Sequence, residues 1–521
     1  MYESKYSRFV TYNTTRFAEE KEILERTVPV SKGAGVPVYV KNNVLYVDDL
    51  DNHSITIGGT GCGKSRLIGK TTIRALIRNG ESMVINDPKG ELYRSTAAYA
   101  EKKGLDVKVL NLRSPENSDH WNPLFKIYRY YVTGQYSKAE QEIDDLATEL
   151  MSKTINERDR FWDLITSNYF ASLGNICLQC STDESQFTFE NILPLCNEGG
   201  EDTIRRILGA MGEVSEAVKS NLHSVLDITS DRTKSCVYAV LHAGIDSLVK
   251  NDSLLQLFNS NEIDFYKLAE KPTAIYVVYP DEKGSMDNVV SAFLTQAYTA
   301  LLDVCDKLES NKLPIRVNFV LDEFSNLCEI ERFDNRISQS RSKNIRFHLF
   351  IQSMNQLSEK YGKEVADTIL SNCSTWICFS SKEIDFLNTL SKLCGNVIDC
   401  NGRERPLISS AEMQYFEKGE DGVEVLILRQ GVRPYVTKLP YYDKLYKPEE
   451  TSLLNRKSSA VTHRVKMEPF EWIDLARDYS DSMQDILDKT IADEDLDDEE
   501  LDALLKKKFD EMFGSSDDEE D

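Results

Sequence analysis

The sequence predicts an α/β fold: a mostly parallel sheet flanked by helices, interrupted by an all-α inserted domain and closed by a disordered acidic C-terminal tail. Three observations carry this expectation. Short, continuous apolar runs recur between helix-length segments, as a parallel sheet buried on both faces requires. A glycine-rich turn, Gly58–Ser65, stands between one such run and an amphipathic stretch. Between roughly residues 125 and 270 the strand signal vanishes and helical patterning takes over.

The elements follow in order. Residues 1–50 are mixed, with a charged helix-like piece around Ala18–Glu25 and short strands at Val38–Val40 and Val44–Val47, and are expected to join the domain that follows. That domain spans residues 51–125 and resumes at 270–450. Its strand candidates are Ser54–Ile57, Met83–Asn86, Val107–Leu112, Ala274–Tyr279, Val317–Leu321, Phe347–Ile351, Thr375–Phe379 and Val423–Leu428, the last leading into an irregular segment. Residues 126–269 read as the all-α domain, with helices at Lys138–Lys153, Asp159–Gln179, Glu213–Ser230 and Cys236–Val249. Residues 451–521 form a C-terminal extension ending in the acidic tail.

Bulk composition bounds the class. At 521 residues, two or three domains are expected. No run approaches the ~18–20 apolar residues needed to cross a bilayer, and the N-terminus lacks the apolar core of a signal peptide. Eleven cysteines without regular spacing suit a reducing compartment, so a cytoplasmic protein is expected. The net charge of −24 does not exclude a nucleic-acid partner, because its distribution is uneven: residues 481–521 hold 18 Asp/Glu against 4 Lys. The rest of the chain retains room for a local basic channel.

The turn at Gly58–Ser65 fills the pattern G-x-x-x-x-G-K-[ST] at every position, with strand before and helix after. Gly58, Gly59, Thr60, Gly61, Cys62 and Gly63 form a loop whose backbone N–H groups can turn inward around a phosphate, next to a helix N-terminus. Lys64 can then reach the β/γ-phosphates, while the Ser65 hydroxyl ligates Mg²⁺. ATP and Mg²⁺ are the expected cofactors. The second half of such a site is Val317–Glu323, where Asp322 ends an apolar run and offers a carboxylate to hydrated Mg²⁺, and Glu323 is placed to polarise the attacking water. Gln352 ends the next apolar run, beside the site, and the charged turn Asp87-Pro88-Lys89-Gly90-Glu91 ends another. Arg341 lies between the Asp322 and Gln352 strands. It reads either as a finger reaching a neighbouring subunit's nucleotide or as an ordinary solvated arginine.

Taken together these segments resemble the type IV secretion coupling proteins of conjugation, the TraG/TraD-like branch of the hexameric FtsK-type motors. The matching stretches are Ile57–Ser65, Asn86–Tyr93, Asn122-Pro123-Leu124, Phe161-Trp162, Pro272-Thr273-Ala274, Thr295-Gln296, Val320–Phe324, Arg341–Arg346, Gln352–Leu357 and Arg433-Pro434-Tyr435. The resemblance covers about residues 15–445. It implies a RecA-like P-loop NTPase domain, a homo-hexameric ring and coupling of ATP hydrolysis to movement of DNA, single- or double-stranded, with its relaxase into a secretion channel. Carried over by position, Lys64 and Ser65 bind nucleotide and Mg²⁺, Asp322 and Glu323 form the hydrolytic pair, Gln352 is the sensor and Arg341 the finger acting in trans. Most such proteins begin with transmembrane helices. Here the motor starts by about residue 50 with none, so the expected form lacks that anchor and docks at the cytoplasmic face of the membrane through a separate membrane protein or the channel. The resemblance leaves two other readings open: an ATPase that assembles the secretion apparatus without gripping DNA, and a nucleotide-gated substrate receptor.

Weaker signals stay open. Cys177-Leu178-Gln179-Cys180 lies in an apolar helical pattern, and buried thiols compete with metal binding there. In the tail, Leu501, Leu504, Leu505, Phe509, Met512 and Phe513 fall at helical spacing. That stripe is either part of a solvated end or a helix that docks a relaxase or accessory protein.

Overall fold

The structure, a computed structural model, describes residues 15–151 and 160–491, apart from 213, 250–251, 281–285, 328, 399–400, 448 and 457–464. The chain divides into two compact units, residues 1–117 with 264–456 and residues 118–263 with 457–521.

The first unit opens on a small antiparallel sheet of β1 (Val28–Pro29), β2 (Val36–Lys41) and β3 (Val44–Asp48), in the order β1-β3-β2. The main sheet follows, with β4 (His53–Ile57), β5 (Ser82–Asn86), β6 (Asp106–Asn111), β7 (Thr273–Val278), β8 (Val317–Leu321), β9 (Ile345–Ile351) and β10 (Cys373–Cys378). A short ribbon of β11 (Asn396–Ile398) and β12 (Glu404–Pro406) precedes β13 (Gly422–Arg429) and β14 (Val432–Pro440). The nine-stranded order is β14-β13-β10-β4-β9-β8-β5-β7-β6, with every pair from β10 to β6 parallel. Ile55, Ile57, Val84, Ile85, Phe319, Leu321, Leu349, Ile351 and Ile377 are buried, so both faces of these strands are covered. All the parallel strands therefore end at one edge, and β4, β8 and β9 deliver their next residues to the same place.

One expectation is corrected here. The segment after β13 is not irregular: it is β14, paired antiparallel to β13 with Leu426 opposite Val436. Arg433, Pro434 and Lys438 hid it, yet Tyr435 and Leu439 are buried at alternate positions while their neighbours are partly open. A proline is tolerated because β14 is an edge strand.

Among the described residues of the second unit, every regular element is a helix. Its longest helices are Tyr136–Met151, Arg160–Cys180, Asp231–Val249 and Glu471–Ile491. The last runs eleven residues into the segment expected to be a disordered tail, because Trp472, Ile473 and Ala476 bury one stripe of it and the Trp472 indole N–H donates to the Asn191 carbonyl at 3.2 Å. The stripe Leu501–Phe513 lies outside the described residues. Cys177 and Cys180 are buried, and burial pushes both thiols up, that of Cys180 to about 12. No cluster of three or more His, Cys, Asp or Glu that could hold a metal occurs among the described residues.

Candidate nucleotide site

Strand β4 ends at Ile57 and the chain turns through Gly58–Gly63 into the helix that begins at Lys64. The loop requires glycine for two different reasons. Gly61 and Gly63 have φ +75° and +105°, in the left-handed region. At Gly58 a Cβ would come within 2.7 Å of the Phe379 Cβ. The first turn of the helix, Lys64–Gly69, is a π turn, in which the Lys70 N–H reaches back to the Ser65 carbonyl, and an α-helix follows over Lys70–Arg78. The side chain of Lys64 folds over the loop, donating to the Gly58 carbonyl and, at 3.4 Å, to that of Gly59.

The carboxylate half arrives from β8. Asp322 is buried, and its Oδ2 accepts the Ser65 hydroxyl at 2.7 Å across 257 residues of chain. The Asn86 amide, at the end of β5, donates to the Asp322 carbonyl at 2.7 Å and fixes that strand end. Glu323 takes φ +52°, a conformation that costs a non-glycine residue about 1 kcal/mol or more. The left-handed turn brings its carboxylate back over the sheet edge, where Gln352 Nε2 donates to Oε2 at 2.8 Å and Lys89 Nζ lies 3.3 Å from Oε1. The Gln352 Oε1 in turn accepts the Thr60 hydroxyl at 3.1 Å, closing a chain from loop to glutamate.

The two acids are shifted in opposite directions. Burial, reinforced by the Glu323 charge, pushes Asp322 up to about 6, against the pull of the Ser65 hydroxyl and Lys64. Burial also acts to raise Glu323, but the Gln352 hydrogen bond and the ammonium groups of Lys64 and Lys89 outweigh it, so its carboxyl lies below the usual range. Glu323 is thus ionised at neutral pH, and Asp322 gains most from an added cation.

The family described as type IV secretory system conjugative DNA transfer matches residues 12–399. The chain belongs to this family. Among relatives, it is 24% identical over 427 residues to the conjugal transfer protein TraG of Escherichia coli, covering 74% of this chain and 64% of that protein. It is 22% identical over 437 residues to the protein VirD4 of Rhizobium rhizogenes, covering 83% and 59%. The chain thus spans less than two thirds of the length of these relatives. Its fold is similar to solved structures of the plasmid coupling protein TrwB, one in complex with a non-hydrolysable ATP analogue (TM-score 0.62) and one with ADP and Mg²⁺ (TM-score 0.61). Each is 15% identical to this chain, covering 85% of it and 96% of the TrwB chain.

Within this family member the structure brings together Gly58 to Ser65, Asp322, Glu323 and Gln352. It does not bring Arg341 to them. Arg341 precedes β9, at the edge where the parallel strands begin, whereas Gln352 follows the same strand at the edge where they end. Seven residues of strand, roughly 20 Å, separate the two edges. The charge of Arg341 is felt instead by His53, the first residue of β4. The donor set at the loop fits Mg²⁺, a hard cation held by one or two protein oxygens with phosphates and water completing its shell. Ser65 Oγ and Asp322 Oδ2 would hold it, and the ion would neutralise phosphate charge when bound. Three contacts escaped the sequence. Lys89 lay within the charged turn after β5, so its approach to Glu323 had a signal. The Arg66–Asp443 pair, at 2.6 Å, and Lys418 Nζ on the Gly61 carbonyl, at 2.7 Å, join residues more than 350 apart with no motif at either partner. No described helix is long and apolar enough to cross a membrane.

Proposed function

We propose that this chain is an ATP-hydrolysing coupling protein of a conjugative type IV secretion system, which recruits a relaxase–DNA substrate and drives DNA transfer. The observation that carries the reading is the network linking Thr60, Gln352, Glu323, Ser65 and Asp322 around the phosphate loop. A receptor that only binds nucleotide has no need of an ionised glutamate held over that loop. ATP sits on Gly58–Lys64, Ser65 and Asp322 hold Mg²⁺, and Glu323 takes the proton of the attacking water while Gln352 orients it. Arg341, at the far edge of its own sheet, serves the site of the next subunit in a homo-hexameric ring. The relaxase and accessory proteins engage the acidic tail, and a membrane anchor protein or the secretion channel holds the ring at the cytoplasmic face of the membrane.

Steady-state ATP hydrolysis by the purified chain, with and without single- and double-stranded DNA, tests the reading. Mg²⁺-dependent turnover that rises with DNA is expected. Turnover indifferent to DNA would replace it with an apparatus-assembly ATPase, and nucleotide binding without turnover with a gated receptor.

A further inference from the structure

The crown of the phosphate loop is unsupported by packing. Gly59, Thr60 and Gly61 are exposed, and a Cβ placed on Gly59 or Gly61 would meet nothing within 4 Å. Besides the long contact of Lys64 with the Gly59 carbonyl, three hydrogen bonds hold it: the Cys62 N–H to the Gly59 carbonyl at 3.2 Å, the Thr60 hydroxyl to Gln352 at 3.1 Å, and the Lys418 ammonium to the Gly61 carbonyl at 2.7 Å. The first two are made by the loop itself and by a residue already in the site. The third comes from the segment before β13, two strands from β4 in the sheet but 357 residues away in the chain.

Lys418 is placed for this contact by its own backbone. It bridges Val423 antiparallel, ahead of a tight turn closed by the Gly419 N–H to the Gly422 carbonyl at 3.0 Å. On its other side the Glu417 N–H donates to the buried Glu424 carboxylate at 2.9 Å. A peptide is planar, so holding the Gly61 carbonyl from outside fixes the plane whose N–H, that of Cys62, is bonded within the loop. The ammonium also adds charge. Lys64 covers the Gly58 and Gly59 carbonyls, and Lys418 stands at the next stretch of the loop, close enough for the Cys62 thiol to feel both.

We propose that Lys418 is a positioning residue for the nucleotide: it locks the Gly61–Cys62 peptide in the shape that receives a polyphosphate and supplies a second positive charge beside Lys64. This rests on the reading of the loop as a nucleotide site and assigns that site a cation outside its sequence motif. The arrangement couples the β13 end of the sheet to nucleotide affinity, since whatever moves the turn before β13 moves the ammonium.

Binding of a fluorescent ATP analogue with Mg²⁺ to the full chain, together with KM and kcat, tests it. Lys418→Ala should weaken binding and raise KM by about fivefold, with a smaller fall in kcat. Lys418→Arg, which keeps charge and reach, should restore both to within about twofold. Lys438→Ala serves as control, because Lys438 pairs with Glu417 at 3.5 Å and makes no contact with the loop. Wild-type affinity in Lys418→Ala would overturn the proposal. So would Lys418→Arg as weak as the alanine variant, or a matching loss of thermal midpoint without nucleotide, which would mark a purely structural role. If the wild-type chain itself binds no analogue, the nucleotide reading fails instead.

Discussion

Two neighbouring carboxylates on one strand end are shifted in opposite directions because their surroundings differ. Asp322 is enclosed and tied to the Ser65 hydroxyl, while Glu323 is turned outward by its left-handed backbone toward Gln352 and two ammonium groups. Glu323→Gln keeps the shape and should bind ATP with wild-type affinity while hydrolysis falls by about 100-fold or more, read by single-turnover kinetics. Nearby Asp87 offers a pH test. Its side chain is buried and accepts the Tyr93 N–H at 2.8 Å; burial first, then the Asp322 and Glu91 charges, raise it from 3.8 to about 7. The folded chain therefore keeps a proton that the unfolded chain has released, so this group's stabilising contribution is full below pH 3.8 and is lost as pH rises through about 7. Without nucleotide or metal, Asp87→Asn should raise the thermal midpoint at about pH 8 and only about half as much at about pH 5.5. A gain equal at both would contradict the burial argument. The residues of the loop and of the Asp322 strand end were legible because short-range spacing dictates them. Lys418 and Asp443 were not, since only the assembled fold brings Lys418 to the loop and Asp443 to Arg66 on the helix after it.

At the scale of elements, the parallel strands announced themselves as apolar runs, whereas β14 did not, because an edge strand keeps one face open and tolerates proline and charge. A buried ion pair helps to join that end of the sheet to the small N-terminal sheet. Asp48, at the end of β3, and Arg429, in β13, meet at 2.7 Å with only 2% exposure of either side chain. Asp48 also accepts the Thr375 hydroxyl in β10, and Arg429 donates to the Arg26 carbonyl at 2.9 Å. Such pairs are costly to break from one side. Asp48→Ala should lower unfolding free energy by about 3–5 kcal/mol, measured by denaturant titration, while the double change Asp48→Ala with Arg429→Met should recover part of it. A double variant whose loss equals the sum of the two single losses would show the pair to be uncoupled. The helix Glu471–Ile491 was hidden for another reason: its acidic face reads as tail, and among its described side chains Trp472, Ile473 and Ala476 mark the buried stripe.

For the whole molecule, the decisive fact is that the site and Arg341 occupy opposite edges of one sheet. If Arg341 is the finger proposed above, a chain built this way completes no site with its own arginine, and stacking one subunit's strand-start edge on the next subunit's strand-end edge would complete all of them. Hydrolysis should then rise more steeply than linearly with protein concentration, and Arg341→Ala and Lys64→Ala should each be inactive alone. Mixing those two variants and measuring DNA-stimulated ATP hydrolysis tests the account most directly. An interface in which the Lys64→Ala subunit lends its arginine to the intact loop of the Arg341→Ala subunit is complete, so an equal mixture should recover about a quarter of the wild-type rate. A mixture no more active than the separate variants, or an Arg341→Ala chain as fast as wild type, would contradict it.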